Sequence, residues 1–171
     1  MDAQSTPVDI DVYLHAAGTS VWEAQGRLIR RVEALADRGV VRRASVEVWP
    51  RRVCTGGALE RTGFHDDALG TIERLSAWAE REGVALPFER GHVVSEFAAT
   101  DHEVIDTPAV CVAVRVGETL AGVYPHRHPS RCCSVDEVLD RIAREGAGGV
   151  TCRAEVRGEA AGPKAPTTEG G

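Results

Sequence analysis

The chain contains no asparagine, only one lysine (Lys164) and one methionine, and aromatic residues make up only 5% of it. Its 20 Lys and Arg are therefore almost all arginine, and 26 Asp and Glu outnumber them, which gives a formal net charge of −6. General affinity for nucleic acid depends on Lys and Arg that displace counterions from phosphates. This charge balance argues against such affinity, although a local basic patch stays open.

Long apolar runs are also missing. The longest uninterrupted one, Pro108 to Val114, is far shorter than the roughly 20 residues that span a bilayer. The start of the chain, Met1 to Pro7, has neither the basic residues nor the apolar stretch of a secretory signal. We therefore expect a cytoplasmic protein, and we expect its five cysteines, an odd number, to be reduced thiols.

The length of 171 residues fits one domain. Residues 8–150 carry periodic apolar patterns, and we predict that they form a single α/β domain. We predict a flexible N-terminus over residues 1–7. Residues 151–171 are rich in Gly, Ala, Pro, Thr and Glu without periodicity, which is typical of a disordered tail.

The first third of the chain predicts a strand, a helix and a second strand. Asp9 to Leu14 alternates polar and apolar residues, as a half-buried strand does. Thr19 or Ser20 is the predicted cap of a helix of about 17 residues that begins near Val21. Ala44 to Val48 then alternates as a second strand, so the three elements predict a right-handed βαβ unit with parallel strands.

The remaining elements follow from the same patterns. Cys54 to Asp67 is Gly-rich and aperiodic and predicts a loop, and Leu69 to Ala79 has the spacing of an amphipathic helix. Phe88 to Phe97 is compatible with a short extended piece. The Val-rich run Ala109–Val116 and the segment Leu120–Tyr124 predict an antiparallel hairpin. A last helix follows, capped by Ser134, with Asp136 and Glu137 in its first turn and apolar positions up to Ile142.

The predicted order β-α-β-α-β-β-α resembles the thioredoxin-like superfamily. Asp11 to Gly39 is similar to the opening strand and helix of glutaredoxin-like proteins, and Thr107-Pro108 through Ile142 is similar to their closing strand, hairpin and helix. The resemblance implies a central mixed four-stranded sheet with helices on both faces. It also implies that Pro108 is cis and borders the ligand site.

A second resemblance rests on the end of the second strand, Val46-Glu47-Val48-Trp49, and on the low lysine and high acid content. Both are similar to a family of small haloarchaeal proteins, some of which are labelled helix-turn-helix proteins. The label implies a transcription regulator. In this sequence, no pair of short helices joined by a tight turn is predicted to present a basic recognition face.

The thioredoxin-like resemblance also defines where a reactive dithiol would stand. Thioredoxins place Cys-x-x-Cys at the N-terminus of the first helix, where the helix dipole stabilises a thiolate. The corresponding segment here, Ala16 to Trp22, contains no cysteine. What remains is an anion or ligand candidate formed by Thr19, Ser20 and, across the cleft, Pro108; a simple helix cap is the alternative.

Other cysteines and histidines form candidate sites elsewhere. Cys54 lies beside Arg51 and Arg52, which would lower the pKa of a thiol, whereas Cys111 lies in the most apolar strand and is predicted to be a buried hydrophobe. A cluster of His126, His128, Cys132 and Cys133 offers zinc or copper ligands. Its adjacent cysteines do not suit one tetrahedral ion, so reactive thiols, a metalloid site or a strained regulatory disulfide are alternatives.

These observations leave three functional hypotheses. The first is a non-catalytic thioredoxin-like binding or regulatory module that needs no cofactor and binds a protein or a small anionic ligand. The second is a transcription regulator, and the third is a thiol or metal sensor that uses the His126, His128, Cys132 and Cys133 cluster. The sequence predicts no membrane partner, and its net charge argues against nucleic acid.

Overall fold

In the computed structural model, the described residues are 6–16, 18–55, 63–95 and 100–151. The segments predicted as a flexible N-terminus and a disordered tail lie outside them, except for residues 6, 7 and 151. None of the helices in these described ranges combines the length and the apolar character needed to cross a bilayer.

Nine strands, three α-helices and one 3₁₀ helix form these ranges. The strands are β1 (Val8–Leu14), β2 (Arg43–Val48), β3 (Arg52–Cys54), β4 (Glu89–Ser95), β5 (Thr100–Asp106), β6 (Val110–Val116), β7 (Thr119–Tyr124), β8 (His126–His128) and β9 (Arg131–Cys133). The α-helices are α1 (Thr19–Asp37), α2 (Gly63–Glu82) and α3 (Val135–Glu145), and α3 is followed by the 3₁₀ helix (Gly146–Val150).

The main sheet has four strands in the order β2-β1-β6-β7. β1 runs parallel to β2 and antiparallel to β6, and β7 runs antiparallel to β6. The predicted α/β class with a mixed four-stranded sheet is therefore confirmed. The predicted parallel βαβ unit is β1-α1-β2, and the predicted hairpin is β6-β7.

Helices cover both faces of this sheet, as predicted. On one face, Ile10, Val12 and Leu14 of β1 pack in one core with Leu35 of α1 and Leu139 of α3. On the other face, Tyr13, Cys111 and Val123 pack in a second core with Ile72 and Trp78 of α2. The sheet thus separates two apolar cores. In each core, the burial of apolar surface stabilises the fold by roughly 25 cal/mol per Å².

β1 is buried along its whole length, so the prediction of a half-buried strand was wrong. Its two acids are buried because each has a partner: Asp9 accepts hydrogen bonds from Arg42, and Asp11 accepts from Ser45 at 2.6 Å and pairs with Arg115 at 2.7 Å. The hydrogen bond from Arg42 lowers the pKa of Asp9, against the opposite effect of burial. The polar positions of the pattern are therefore paired inside the fold.

A second sheet with the order β3-β5-β4 occupies the region between the second and third predicted strands. The predicted loop from Cys54 to Asp67 was too long, since β3 ends at Cys54 and α2 begins at Gly63. The extended piece predicted over 88–97 is confirmed as β4, whereas β5 was not predicted. The small hairpin β8-β9 was also not predicted and replaces the loop expected before α3.

Helix caps differ between the first and last helices. At α3, the Ser134 hydroxyl accepts from the Glu137 N–H at 3.2 Å, and the Glu137 carboxylate accepts from the Ser134 N–H at 2.9 Å, which confirms the predicted cap. At α1, the helix already begins at Thr19, and Gly18 is the N-cap without a side-chain hydrogen bond. The predicted capping role of Thr19 or Ser20 was therefore wrong.

The 3₁₀ helix packs closely on α3 and closes the first core. The Tyr124 hydroxyl donates to the Val150 carbonyl, and a Cβ on Gly149 would overlap the backbone of Arg141 and lie 2.7 Å from the nitrogen of Ile142. A Cβ on Gly148 would meet only the Cβ of Glu145, at 4.0 Å. Gly149 is thus required by close packing, and Gly148 is not.

We expect Gly149→Ala to lower the free energy of unfolding by about 1–3 kcal/mol, because backbone atoms must move to admit the methyl group. Gly148→Ala is the matched control, and it should change that free energy by less than about 1 kcal/mol. Urea denaturation followed by circular dichroism measures both. Equal effects of the two substitutions would contradict this packing.

Candidate functional site

The start of α1 lies beside the segment that precedes β6. Gln25 of α1 is buried, and its side-chain amide donates to the carbonyl of His15 at 3.0 Å and to that of Ala109 at 2.8 Å. A single side chain therefore joins the β1–α1 connection to the residue after Pro108. Gln25 could not be singled out from the sequence, since a lone polar residue on a helix is ordinarily exposed.

Trp49 fixes the other side of this region. Its Nε1–H donates to the Pro108 carbonyl at 3.3 Å, and its ring stacks on Tyr13 with centroids 5.2 Å apart. The Thr107 hydroxyl donates to the Pro50 carbonyl at 2.8 Å. Pro108 therefore lies beside Trp49, but its peptide bond is trans, since the one cis bond in the described residues is Tyr124–Pro125. The implied cis Pro108 was wrong.

A cleft of about 250 Å³ opens next to Trp49. It lies at the carboxyl ends of the parallel strands β1 and β2, which is where open α/β sheets usually bind their ligands. β1, β2 and the N-terminal half of α2 supply its walls. The lining residues are Tyr13, Glu47, Val48, Trp49, Phe64, Asp67, Ala68 and Thr71.

This cleft combines aromatic rings with carboxylates. Glu47 and Asp67 are exposed, and Phe64 exposes 52% of its surface. Burial, followed by the charges of Asp11 and Glu47, raises the pKa of Tyr13 to about 12, so its hydroxyl stays neutral at physiological pH. Among the described residues no basic side chain lines the cleft, although Arg74 donates a hydrogen bond to the lining residue Thr71 at 2.9 Å. Such a site favours a cation, because carboxylates and aromatic rings both attract positive charge.

Thr19 and Ser20 lie apart from these walls. Both are exposed in the first turn of α1, and neither lines the cleft. The predicted anion candidate was Thr19, Ser20 and Pro108. Gln25 holds the start of α1 near Pro108 through its hydrogen bond to Ala109, but Thr19 and Ser20 do not line the cleft.

The predicted histidine and cysteine cluster forms the hairpin β8-β9. His126 lies opposite Cys133, and Cys132 lies opposite Arg127, so the two cysteines point to opposite faces of the hairpin. Cys133 is buried and disulfide-bonded, whereas Cys132 is a free, exposed thiol. A disulfide between these neighbours is thus ruled out, and the expectations of a reduced and reactive Cys133 were wrong.

The two histidines of the hairpin have different surroundings. His126 is buried between the rings of Trp78 and Tyr124, and its Nδ1 lies 2.6 Å from the Val123 carbonyl, to which it donates. The Nδ1 of His128 lies 3.0 Å from the Ser130 hydroxyl. Within the described ranges, no three His, Cys, Asp or Glu side chains are placed to hold a metal ion together. His126 is therefore a buried side chain that packs against Trp78 and Tyr124.

The other two candidate thiols are placed by β3 and β6. Cys111 is fully buried, which raises the pKa of its thiol to about 12 and confirms the prediction of a buried hydrophobe. Cys54 is half-buried at the end of β3. Arg52, predicted to activate Cys54, instead pairs with Asp106 through two hydrogen bonds of 2.8 and 3.0 Å.

The sequence contains three arginine doublets, Arg30-Arg31, Arg42-Arg43 and Arg51-Arg52, and each is partly neutralised. One member of each doublet is paired with carboxylates: Arg31 with Asp136 and Asp140, Arg42 with Asp9, and Arg52 with Asp106. A phosphate-binding patch needs cations that are available to the ligand. The local basic patch that the composition left open is therefore weakened by these pairs.

Fold and cleft together define an α/β domain with a mixed sheet and a candidate ligand site at one end of it. The chain belongs to the family described as helix-turn-helix domain, whose pattern matches residues 2–147. A search of curated proteins and of solved structures finds no significant match. The match spans the whole main sheet and α3.

Residues 6–16, 18–55, 63–95 and 100–151 contain no helix-turn-helix motif. α1 and α2 are separated by the strands β2 and β3, and six strands separate α2 from α3. A helix-turn-helix motif instead joins two helices by a turn of a few residues. Any DNA binding by the described part of the chain would therefore need another surface.

Burial lowers the pKa of His126, which predicts a pH-dependent stability. As pH falls below the ordinary histidine pKa of about 6.5, the unfolded chain takes up a proton first, so the free energy of unfolding falls until the folded state is protonated too. We expect His126→Gln to reduce the slope of stability between pH 7.5 and 5.5, as measured by urea denaturation. His128→Gln removes only a smaller cause of the lowered His126 pKa and should change the slope less than His126→Gln does; equal slopes in all three proteins would disprove this role.

Proposed function

We propose that this protein is a non-catalytic, thioredoxin-like binding and regulatory module whose ligand site is the cleft beside Trp49. The sheet order β2-β1-β6-β7 supports the thioredoxin-like part of the proposal, together with α1 and α3 on one face and α2 on the other. The low lysine and high acid content supports a haloarchaeal origin. The cleft at the carboxyl ends of β1 and β2 is the observation that carries the binding role.

The positions of the thiols support the non-catalytic part of the proposal. The connection from β1 to α1 contains no cysteine, and Cys111, the cysteine nearest to Pro108 in sequence, is buried and has a raised pKa. Thiol-disulfide exchange needs an accessible thiolate. The free, exposed Cys132 lies on the hairpin β8-β9, which contributes nothing to the cleft.

The lining of the cleft indicates the class of ligand. Glu47 and Asp67 supply negative charge, and Tyr13, Trp49 and Phe64 supply aromatic surface. A guanidinium or ammonium group interacts favourably with both, by roughly 0.5–1 kcal/mol per ring contact at exposed sites. The cleft is large enough for one such side chain, so we propose that it takes an arginine or lysine from a partner protein.

Titration with N-acetyl-arginine amide, followed by nuclear magnetic resonance, tests this site. We expect saturable shifts of the Trp49 indole N–H and the Thr71 amide, because both residues line the cleft. The double variant Glu47→Gln and Asp67→Asn should weaken binding by about tenfold or more, since it removes both carboxylates. Glu33→Gln, which removes an exposed carboxylate on α1, is the matched control and should leave the affinity unchanged.

Inorganic phosphate provides the second arm of this titration. If phosphate shifts the amide resonances of Thr19 and Ser20 and the arginine derivative leaves the Trp49 resonance unchanged, the cation site is wrong. The start of α1 would then be an anion site. Turnover in an insulin-reduction assay that survives replacement of Cys54 and Cys132 would contradict the non-catalytic role.

A second candidate function is transcription regulation, which the family description favours. In this case the domain would act on DNA through a surface other than a helix-turn-helix motif of the described residues, or through a partner. Arg43 and Arg51 are exposed, and neither takes part in the ion pairs of Arg42 and Arg52 described above.

Fluorescence anisotropy with the DNA upstream of its own gene tests this second candidate. A regulator that binds directly should show an affinity that falls as salt rises, and Arg43→Ala together with Arg51→Ala should reduce the slope of that dependence by about two phosphate contacts. Absence of binding at low salt would remove direct DNA binding and leave a partner-mediated role.

A further inference from the structure

β2 forms one edge of the main sheet. It pairs with β1 on one side, and no strand of the described residues lies on its other side. Two apolar side chains on it are exposed, Val46 at 46% and Val48 at 63% of their surface. An open edge with exposed apolar residues is a template for pairing with another strand, and natural proteins ordinarily protect such an edge.

The backbone of β2 offers its free hydrogen-bonding groups at known residues. The Trp49 N–H donates to the Leu14 carbonyl of β1 at 2.8 Å, and Leu14 lies opposite Val48. Because successive residues of a strand direct their N–H and C=O groups to opposite sides, Ala44, Val46 and Val48 direct theirs away from β1. These three residues are therefore the ones that can bond to an added strand.

The charges of β2 select a partner and a register. Arg43 and Glu47 are both exposed, and they stand two residues before and two residues after Ser45. A second β2, antiparallel and related by a two-fold axis at Ser45, places each Arg43 opposite the other copy's Glu47. The same register places Ala44 opposite Val46, so the outward backbone groups meet as hydrogen-bonded pairs.

Neighbouring registers lack this complementarity. An axis at Val46 also matches the backbone groups, but it leaves Glu47 opposite Ser45 and Arg43 opposite Trp49. The other edge of the sheet, β7, carries no charged residue, and its residues Gly122 to Tyr124 are already buried in the single chain. Self-complementarity is therefore a property of β2.

From these observations we infer that β2 is the interface of a two-fold symmetric homodimer, formed by antiparallel β2–β2 pairing centred on Ser45. The two four-stranded sheets join into one sheet of eight strands. Symmetric interfaces of this kind use the same patch on both copies, so both Arg43–Glu47 pairs form together. In the dimer Glu47 is therefore shared between this pair and the cleft, while Asp67 stays exposed in the cleft. The Val46 side chains lose their exposure in the same step.

Light scattering after gel filtration tests the dimer through a charge exchange. At about 100 µM, where an interface with a micromolar Kd is saturated, the wild type should show twice the monomer mass of 18.3 kDa. Arg43→Glu and Glu47→Arg should each raise the Kd by about tenfold or more, because each places like charges opposite one another. The double exchange restores the pairs and should recover the dimer. Circular dichroism verifies that each variant is folded.

A cysteine scan tests the register. Residues at the axis in a non-hydrogen-bonded pair have Cα atoms about 4.5 Å apart, within the range for a disulfide. In a Cys132→Ser background, Ser45→Cys should therefore form a covalent dimer on oxidation. Val46→Cys, the matched control, should not, since the two copies of residue 46 lie diagonally at about 7–8 Å or more. A monomeric wild type, a dimer indifferent to both charge reversals, or equal crosslinking of the two cysteine variants would overturn this interface.

Discussion

The antiparallel pairing of β1 with β6 is the contact on which the rest of the fold depends. Seven residues of each strand face one another, from Val8 opposite Val116 to Leu14 opposite Val110. Alternate side chains of this pair enter the two separate cores, so α1 and α3 pack on one face and α2 on the other. Loss of this pairing would expose both cores together, which makes the fold cooperative.

The same pairing brings the elements of the candidate site together. β1 and β2 end on the side where the chain enters β6, so the start of α1, Trp49 and Pro108 meet there. Gln25 and Trp49 then hold the carbonyls of Ala109 and Pro108 by hydrogen bonds of 2.8 and 3.3 Å. The cleft lies next to this junction, and the side chains that line it set its charge and its aromatic surface.

Much of the fold could be predicted because the relevant patterns are local. The alternation in β2, the amphipathic spacing in α2 and the cap at Ser134 each specify one element. The patterns failed where burial depends on a residue distant in sequence. The alternation predicted exposed Asp9 and Asp11, but both are buried because they pair with Arg42 and Arg115. The cleft could not be predicted either, because Tyr13 and Glu47 meet only through the register of β1 and β2, and Asp67 joins them only through the packing of α2 on the sheet.

Native-state hydrogen exchange tests most directly whether both cores depend on the β1–β6 pair. Amides that exchange only by global unfolding report the most stable unit of a protein. We predict that the slowest amides lie in β1 and β6 and that their exchange free energies equal the free energy of global unfolding. Slower exchange in α2 or in the β3-β5-β4 sheet, with β1 and β6 opening earlier, would contradict it.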